Sequence, residues 1–364
     1  MPLAQLGMSD KSMNDSLEVV ITTGNNDIVV KSLPITREQL LKLNGELLRF
    51  IGRPESVFQA LLNAKTQALY QQTFGSLDET LQTLGVDNLL LSLGEDLRSV
   101  PWGALYDGDR YLIEKYSIGI TPNLSLTDTR YRPLGDRGVL VMGASDFDAL
   151  DDLPAVPTEI AMVAAQFGTD QYFLNQDFTR ENLIEARQKL APAIIHLATH
   201  ASFVGGNLDK SYIQLWGNER LAISEMGDLQ WFTEPPVELL VLSACQTALG
   251  DANSDLGFGG LAVKSGVRSA LASLWSVSDV GTLALMREFY KNLSDPTIRT
   301  KAKALQQAQI ALIRGEVQLE GNQLRRGERS PYVIDLPETP AEIQGLDLTQ
   351  PYSWAAFTLI GSPW

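Results

Sequence analysis

The chain is poor in the side chains most used for nucleophilic and acid–base chemistry: its 364 residues include one cysteine, Cys245, and two histidines, His196 and His200. A lone cysteine excludes an intramolecular disulfide framework and is compatible with a reducing cytoplasm. It also leaves no CxxC element from which to build a zinc cluster. Basic residues are in deficit, 29 Lys and Arg against 44 Asp and Glu, giving a net charge of -15. Nucleic-acid affinity depends on neutralising phosphates with Lys and Arg, so no nucleic-acid partner is expected. No apolar run reaches the roughly 18 residues of a membrane span. The opening MPLAQLGMSDKSMND lacks a basic stretch followed by an apolar one. The chain is therefore expected to be cytoplasmic, neither exported by that route nor membrane-bound.

What is present is the balance of a folded globular protein, 44% hydrophobic and 20% charged. Residues 1–15 read as a disordered tail. LEVVITT (17–23) and IVVKSL (28–33) flank the turn GNND and predict a β-hairpin. From Thr36 to about Gly85 apolar residues recur at helical spacing, so 16–87 is expected to be a β-hairpin and helical segment. LLLSLG (89–94) reads as a buried strand, followed by a Pro-Trp turn and a hairpin centred on Asp107-Gly108. From Gly138 onward the short apolar runs GVLVMGA, AIIHLATH, ELLVLSAC and SALASLW alternate with helical patterns. That alternation predicts an α/β fold, a mostly parallel sheet with helices on both faces. Within this domain, 88–364, the polar stretch 315–350 is expected to be a mobile insertion. WAAFTLIG (354–361) closes the chain as a last strand, at the sheet edge or returning into it.

Two of the apolar runs end in reactive groups. ELLVLSACQTALG (238–250) delivers Cys245, and AIIHLATHASF (193–203) delivers His200, each just past a strand. Reactive groups collect beyond the carboxyl ends of strands in open α/β sheets. If the strands are neighbours, thiol and imidazole meet. A free thiol titrates near ~8.5 and needs a base or cation beside it to become a nucleophilic thiolate. The plainer alternative is open at this point: Cys245 as a small buried hydrophobe and His200 as a satisfied loop residue. The four-residue spacing of His196 and His200 matches HExxH, but Leu197 stands where the Glu belongs and the run reads as strand, so no metal site is expected. On a strand His196 shares the face of His200. It is expected to be a packed, supporting histidine, with the role of base also open to it. LGFGGLAVKSG (256–266) has no GK[ST], and its glycines suit close helix-to-sheet packing better than phosphate, so no nucleotide cofactor is expected.

Seven segments in order over 88–364, LLLSLGEDLRSVPWGALYDGDRYLIEKYSI, LPAVPTEI, IIHLATHASF, LLVLSACQTALG, GFGGLAVKSGVRSALASLWSVSD, LMREFYKNL and WAAFTLIGSPW, resemble the CHAT-domain, caspase-like cysteine proteases, relatives of caspases, metacaspases and separases. The resemblance implies a caspase-like fold, no cofactor, and His200 and Cys245 as a catalytic dyad for hydrolysis of a protein or peptide substrate. Backbone N–H groups of Cys245 and near Ala201 would hold the oxyanion, although many relatives carry Gly where Ala201 stands. LASLWSVSD (271–279) would be the edge on which substrate lies, with Trp275 walling a side-chain pocket. Relatives that prefer Arg or Lys place an acid two residues before the cysteine. Here that residue is Ser243, which leaves Asp251, Asp255 or Asp279 to supply the charge. The repeats attached to many relatives are absent, so partner recognition or regulation is expected on a missing segment or on another chain, such as a regulatory protein partner. The competing reading is a catalytically silent scaffold or signalling module of the same fold. LRRGERS (324–330) raises processing at Arg325, Arg326 or Arg329 against the simpler expectation of a solvated loop.

Overall fold

The computed structural model describes residues 3–9, 16–25, 27–54, 59–121, 127, 130–131, 134, 137–202, 210–229, 231–243, 257–327, 331–336 and 345–364. Among these, one eleven-stranded sheet runs through the protein in the order β3-β2-β1-β4-β5-β17-β13-β12-β8-β6-β7. Its strands are β1 (Leu3–Ser9), β2 (Ser16–Thr23), β3 (Ile28–Thr36), β4 (Asn88–Ser92), β5 (Ser117–Thr121), β6 (Val139–Gly143), β7 (Phe173–Leu174), β8 (Ile194–Ala198), β12 (Leu239–Ser243), β13 (Ser269–Ser273) and β17 (Phe357–Gly361). Pairing is parallel except at β3–β2, β2–β1 and β13–β17. A second, three-stranded sheet joins β9 (Ala201–Ser202), β10 (Tyr212–Gln214) and β11 (Arg220–Ala222). A third joins β14 (Val317–Glu320), β15 (Gln323–Arg326) and β16 (Tyr332–Asp335).

Helices cover both faces of the main sheet, which is why its central strands are apolar throughout. Along β6 the side chains of Val139 and Val141 join one core and those of Leu140 and Met142 the other, as the two-residue period of a strand requires. The first core is closed by α5 (Val156–Gln166), α8 (Asp279–Leu293) and α9 (Lys301–Ile313), the second by α6 (Arg180–Leu190). Their starts are written locally. The hydroxyls of Thr179, Ser278 and Thr300 accept from the third residue of α6, α8 and α9, and Pro157 opens α5. At the other end of the sheet α1 (Arg37–Ile51) starts with a capping box between Thr36 and Gln39, and α2 (Gln59–Gln72) packs on it.

The chain path sets the location of the site. From β6 the chain moves outward to β7 through α5, then returns to β8 on the other side of β6 through α6 and continues to β12 and β13. Right-handed crossovers in opposite directions must lie on opposite faces, as α5 and α6 do. The reversal leaves a crevice beyond the carboxyl ends of β6 and β8. Gly143 is essential to it: a Cβ there would meet the Ala198 carbonyl oxygen at 2.7 Å.

Three expectations are corrected. The segment expected to be a disordered tail contains β1, which pairs with both β2 and β4 and buries Ala4 and Leu6 completely. Residues 1–2 and 10–15 lie outside the described residues. Within the stretch expected to be a mobile insertion, 315–350, residues 317–335 contain β14–β16, around a turn in which Gly321 has φ 61, while 328–330 and 337–344 lie outside the described residues. Val317 and Leu324 are buried, and the Arg326 guanidinium pairs with Glu288 of α8 and, at 2.7 Å, with Glu316. That buried pairing also removes Arg326 from the candidate processing sites, and Arg329 lies outside the described residues. The hairpin around Asp107-Gly108 is reduced to one bridge, Tyr106 to Tyr111, because the chain turns at once into the short helix α4 (Leu112–Lys115). WAAFTLIG returns into the sheet, where β17 sits between β5 and β13.

Candidate active site

β8 and β12 are parallel neighbours whose ladder ends on Ala198 opposite Ser243, and Thr199 N–H still donates to the Ser243 carbonyl at 3.2 Å. His200 follows Ala198 by two residues, and Cys245 follows Ser243 by two. Cys245, Asp251 and Asp255 all lie outside the described residues. Ala201 begins β9 and pairs with Ile213.

The His200 ring sits at the mouth of the crevice, partly exposed. Its Nε2 is 2.7 Å from the carbonyl oxygen of Asp151, in the loop after β6. A carbonyl only accepts, so Nε2 carries the proton and Nδ1 is left as the basic nitrogen. The ring of Phe147, from the same loop, packs on the imidazole with centroids 4.7 Å apart.

His196 has a different setting. It is 0% exposed, its Nδ1 lies 2.9 Å from the Tyr290 hydroxyl of α8, and its Nε2 lies 3.1 Å from Glu159 Oε1. The contact with Glu159 is out of line for a hydrogen bond and acts as an electrostatic one. Burial, and then the charge of Glu159, push the Tyr290 phenol well above its ordinary range, so it stays protonated and can donate to His196. Glu159 in turn accepts from Ser243 Oγ at 2.6 Å. A buried carboxylate on α5 thus ties β8, β12 and α8 together beneath the crevice.

Glu159 and Ser243 also line a narrow cleft beside His200, together with Val277, Phe357 and Asp279. Asp279 opens α8, and its carboxylate accepts the Ala155 backbone N–H. Burial pushes the Asp279 carboxyl up to about 7; the Ala155 N–H opposes the rise and the neighbouring charge of Glu159 adds to it. Trp275, expected to wall this pocket, is turned elsewhere. Its indole N–H donates to the Tyr352 carbonyl at 3.1 Å and its ring lies against Gly52. A buried indole needs an acceptor for its N–H, here the Tyr352 carbonyl, and the apolar residues that line the cleft include Val277 and Phe357.

Glu159, Tyr290 and the Asp151 carbonyl were not picked out from the sequence. Glu159 does leave a signal: it interrupts the apolar face of VPTEIAMVAAQ, with Val156, Ile160 and Val163 buried beside it. A backbone carbonyl leaves none. Among the described residues no group of three His, Cys, Asp or Glu side chains is arranged to hold a metal, and no helix is long and apolar enough to cross a membrane.

With this geometry in hand, the family model of the CHAT domain matches residues 63–362. The chain belongs to the CHAT-domain family. No curated protein sequence matches it. Among solved structures, this CHAT domain is similar to a chain of the Saccharomyces cerevisiae separase-securin complex in two crystal structures, with TM-scores of 0.63 and 0.54 at 9% and 10% identity. The match covers 99% of the CHAT chain but only 30% of the yeast chain. It is also similar to the Arg-specific cysteine proteinase gingipain R of Porphyromonas gingivalis, with a TM-score of 0.49 and 11% identity, over 83% of this chain and 66% of that one. At such identities the yeast match shows a shared fold, the caspase-like α/β sheet, which is also the architecture read from the sequence.

Proposed function

We propose that this CHAT domain is a cysteine endopeptidase in which His200 and Cys245 form the dyad. The observation that carries the reading is the His200 ring itself, held at the crevice by the Asp151 carbonyl so that Nδ1 is the basic nitrogen. The register of β8 and β12 adds support, because both residues follow their ladder partners by the same distance. In the proposed reaction Nδ1 takes the thiol proton and the Cys245 sulfur attacks the scissile carbonyl. The resulting oxyanion is met by backbone N–H groups of Cys245 and near Ala201. The imidazolium then protonates the leaving amine, and a water, deprotonated by the same nitrogen, cleaves the acyl-enzyme. His196, buried against Tyr290 and Glu159, supports the strand that carries His200.

The cleft beside His200 favours a basic side chain at the residue before the scissile bond. It places the Asp279 and Glu159 carboxylates together in one partly dry site, where an entering guanidinium or ammonium would supply a counter-charge. The cation is best met by ionised Asp279, so KM for such substrates should fall as pH rises through about 7. A panel of substrates showing no preference for Arg or Lys removes this part of the reading. The substrate is then a protein or peptide, with a regulatory partner supplied by another chain.

Labelling of Cys245 by an acyloxymethyl ketone tests the dyad. The expected result is specific labelling that falls by roughly 10²- to 10⁴-fold in His200→Ala, the usual contribution of a general base. A thiol inert in the unmodified protein would support the silent scaffold instead.

A further inference from the structure

We propose that Asn175 is a positioning residue for His200, acting through the loop 144–153 that holds the imidazole. Asn175 follows β7, across β6 from the strand that carries His200, and nothing in its sequence neighbourhood marks it. Its backbone is left-handed, with φ 52, a region that non-glycine residues occupy at a cost and that Asn tolerates better than most. That conformation accompanies a side chain engaged at both ends. Oδ1 accepts the Ser145 backbone N–H at 2.8 Å, and Nδ2 donates to Asp146 Oδ2 at 2.8 Å and to Ser145 Oγ at 3.2 Å.

Ser145 and Asp146 are the root of the loop whose far part meets the histidine. The loop is closed by Leu153 N–H donating to the Ser145 carbonyl at 2.8 Å and braced by Phe147 N–H donating to Asp152 Oδ1 at 3.1 Å. From this frame project the Phe147 ring and the Asp151 carbonyl, both in contact with the His200 ring. The other end of the loop is fixed by Asp279, which accepts the Ala155 N–H as α5 begins. Releasing the Asn175 end would let the Asp151 carbonyl move off Nε2. The imidazole would then be free to place its proton on Nδ1, where it no longer serves as the base. The catalytic half of this proposal rests on the peptidase reading; the tautomer half stands on the geometry alone.

The test uses the small number of histidines. In protein labelled with 15N-histidine, His200→Gln assigns the two rings, and the expected signal of the neutral His200 ring is a single tautomer with the proton on Nε2. Asn175→Gly keeps the left-handed backbone and removes the side chain. It should give a mixture of His200 tautomers while the buried His196 ring is unchanged, which shows in the same spectrum that the fold is intact. Asn175→Asp, which retains the acceptor for Ser145 N–H, should preserve more of the Nε2–H form. Alkylation of Cys245 by iodoacetamide should slow about tenfold or more in Asn175→Gly, the scale of a small misplacement of a reacting group. An unaltered His200 tautomer in Asn175→Gly overturns the proposal, whatever Cys245 does. A changed tautomer with Cys245 unreactive even in the unmodified protein upholds the clamp and removes the peptidase reading instead.

Discussion

The two ends of the main sheet solve the problem of covering a strand in different ways. In the antiparallel wing β3–β2–β1, β2 alternates buried and exposed residues, with Leu17, Val19 and Ile21 inside and Glu18 outside. In the parallel half every residue of β6, β8, β12 and β13 is buried. A strand with one wet face can carry charge at no cost. A strand covered on both faces must give each polar atom a partner, and His196, Glu159, Ser243 and Tyr290 are that requirement met in one connected group. The wing exposes polar residues such as Glu18 to solvent, whereas those of the parallel half are bound to one another beneath the site.

The largest effect that would test this contrast is expected at Glu159. Glu159→Ala leaves Ser243 and His196 buried without their partner, and should lower unfolding stability by about 3–5 kcal/mol, read as a shift in the urea midpoint. A change under about 1 kcal/mol would mean that the group is not a unit. In the wing, Ile21→Ala should cost about 2–4 kcal/mol through lost packing alone, with the His200 spectrum untouched.

Asp279→Asn should raise stability at pH 8 by roughly 2–4 kcal/mol and leave it unchanged at pH 4. Its carboxyl titrates at about 7 in the fold against an ordinary 3.8. Between those values the folded chain holds a proton that the unfolded chain has released, so stability falls as pH rises through the window. Asn, which does not titrate, escapes that loss. Thermal unfolding of both proteins across pH checks the sign, and parallel curves would show that Asp279 does not carry the shift. The smallest effect belongs to the exposed edge: Val30, 58% exposed on β3, should accept Lys with a change within about 0.5 kcal/mol.

The same contrast explains what was legible in the sequence. Runs such as GVLVMGA and ELLVLSAC announce strands covered on both faces, and their alternation with helices gave the α/β class. β1 was missed because its sequence, LAQLGMS, contains none of the β-branched or aromatic residues that mark a strand. β14–β16 were missed because charge normally signals solvent, and only tertiary contact reveals that Arg326 is buried against Glu288 and Glu316. At the candidate site, strand-end placement singles out His200 and Cys245, but it cannot show what orients the ring, since that group is a peptide carbonyl. The residue type of Trp275 suits a pocket wall, but the direction of its indole depends on Tyr352, far along the chain, which the sequence does not reveal.

The reversal of winding between β6 and β8 carries a consequence for change over time. The notch it opens is a property of the route the backbone takes rather than of the side chains around its rim. Glu159, Val277, Asp279 and Phe357 line the cleft beside His200, and the loop after β6 holds its ring. In the proposed peptidase the residues lining the cleft and the loop holding the imidazole therefore sit largely on separate stretches of chain, so that one can change while the other is kept.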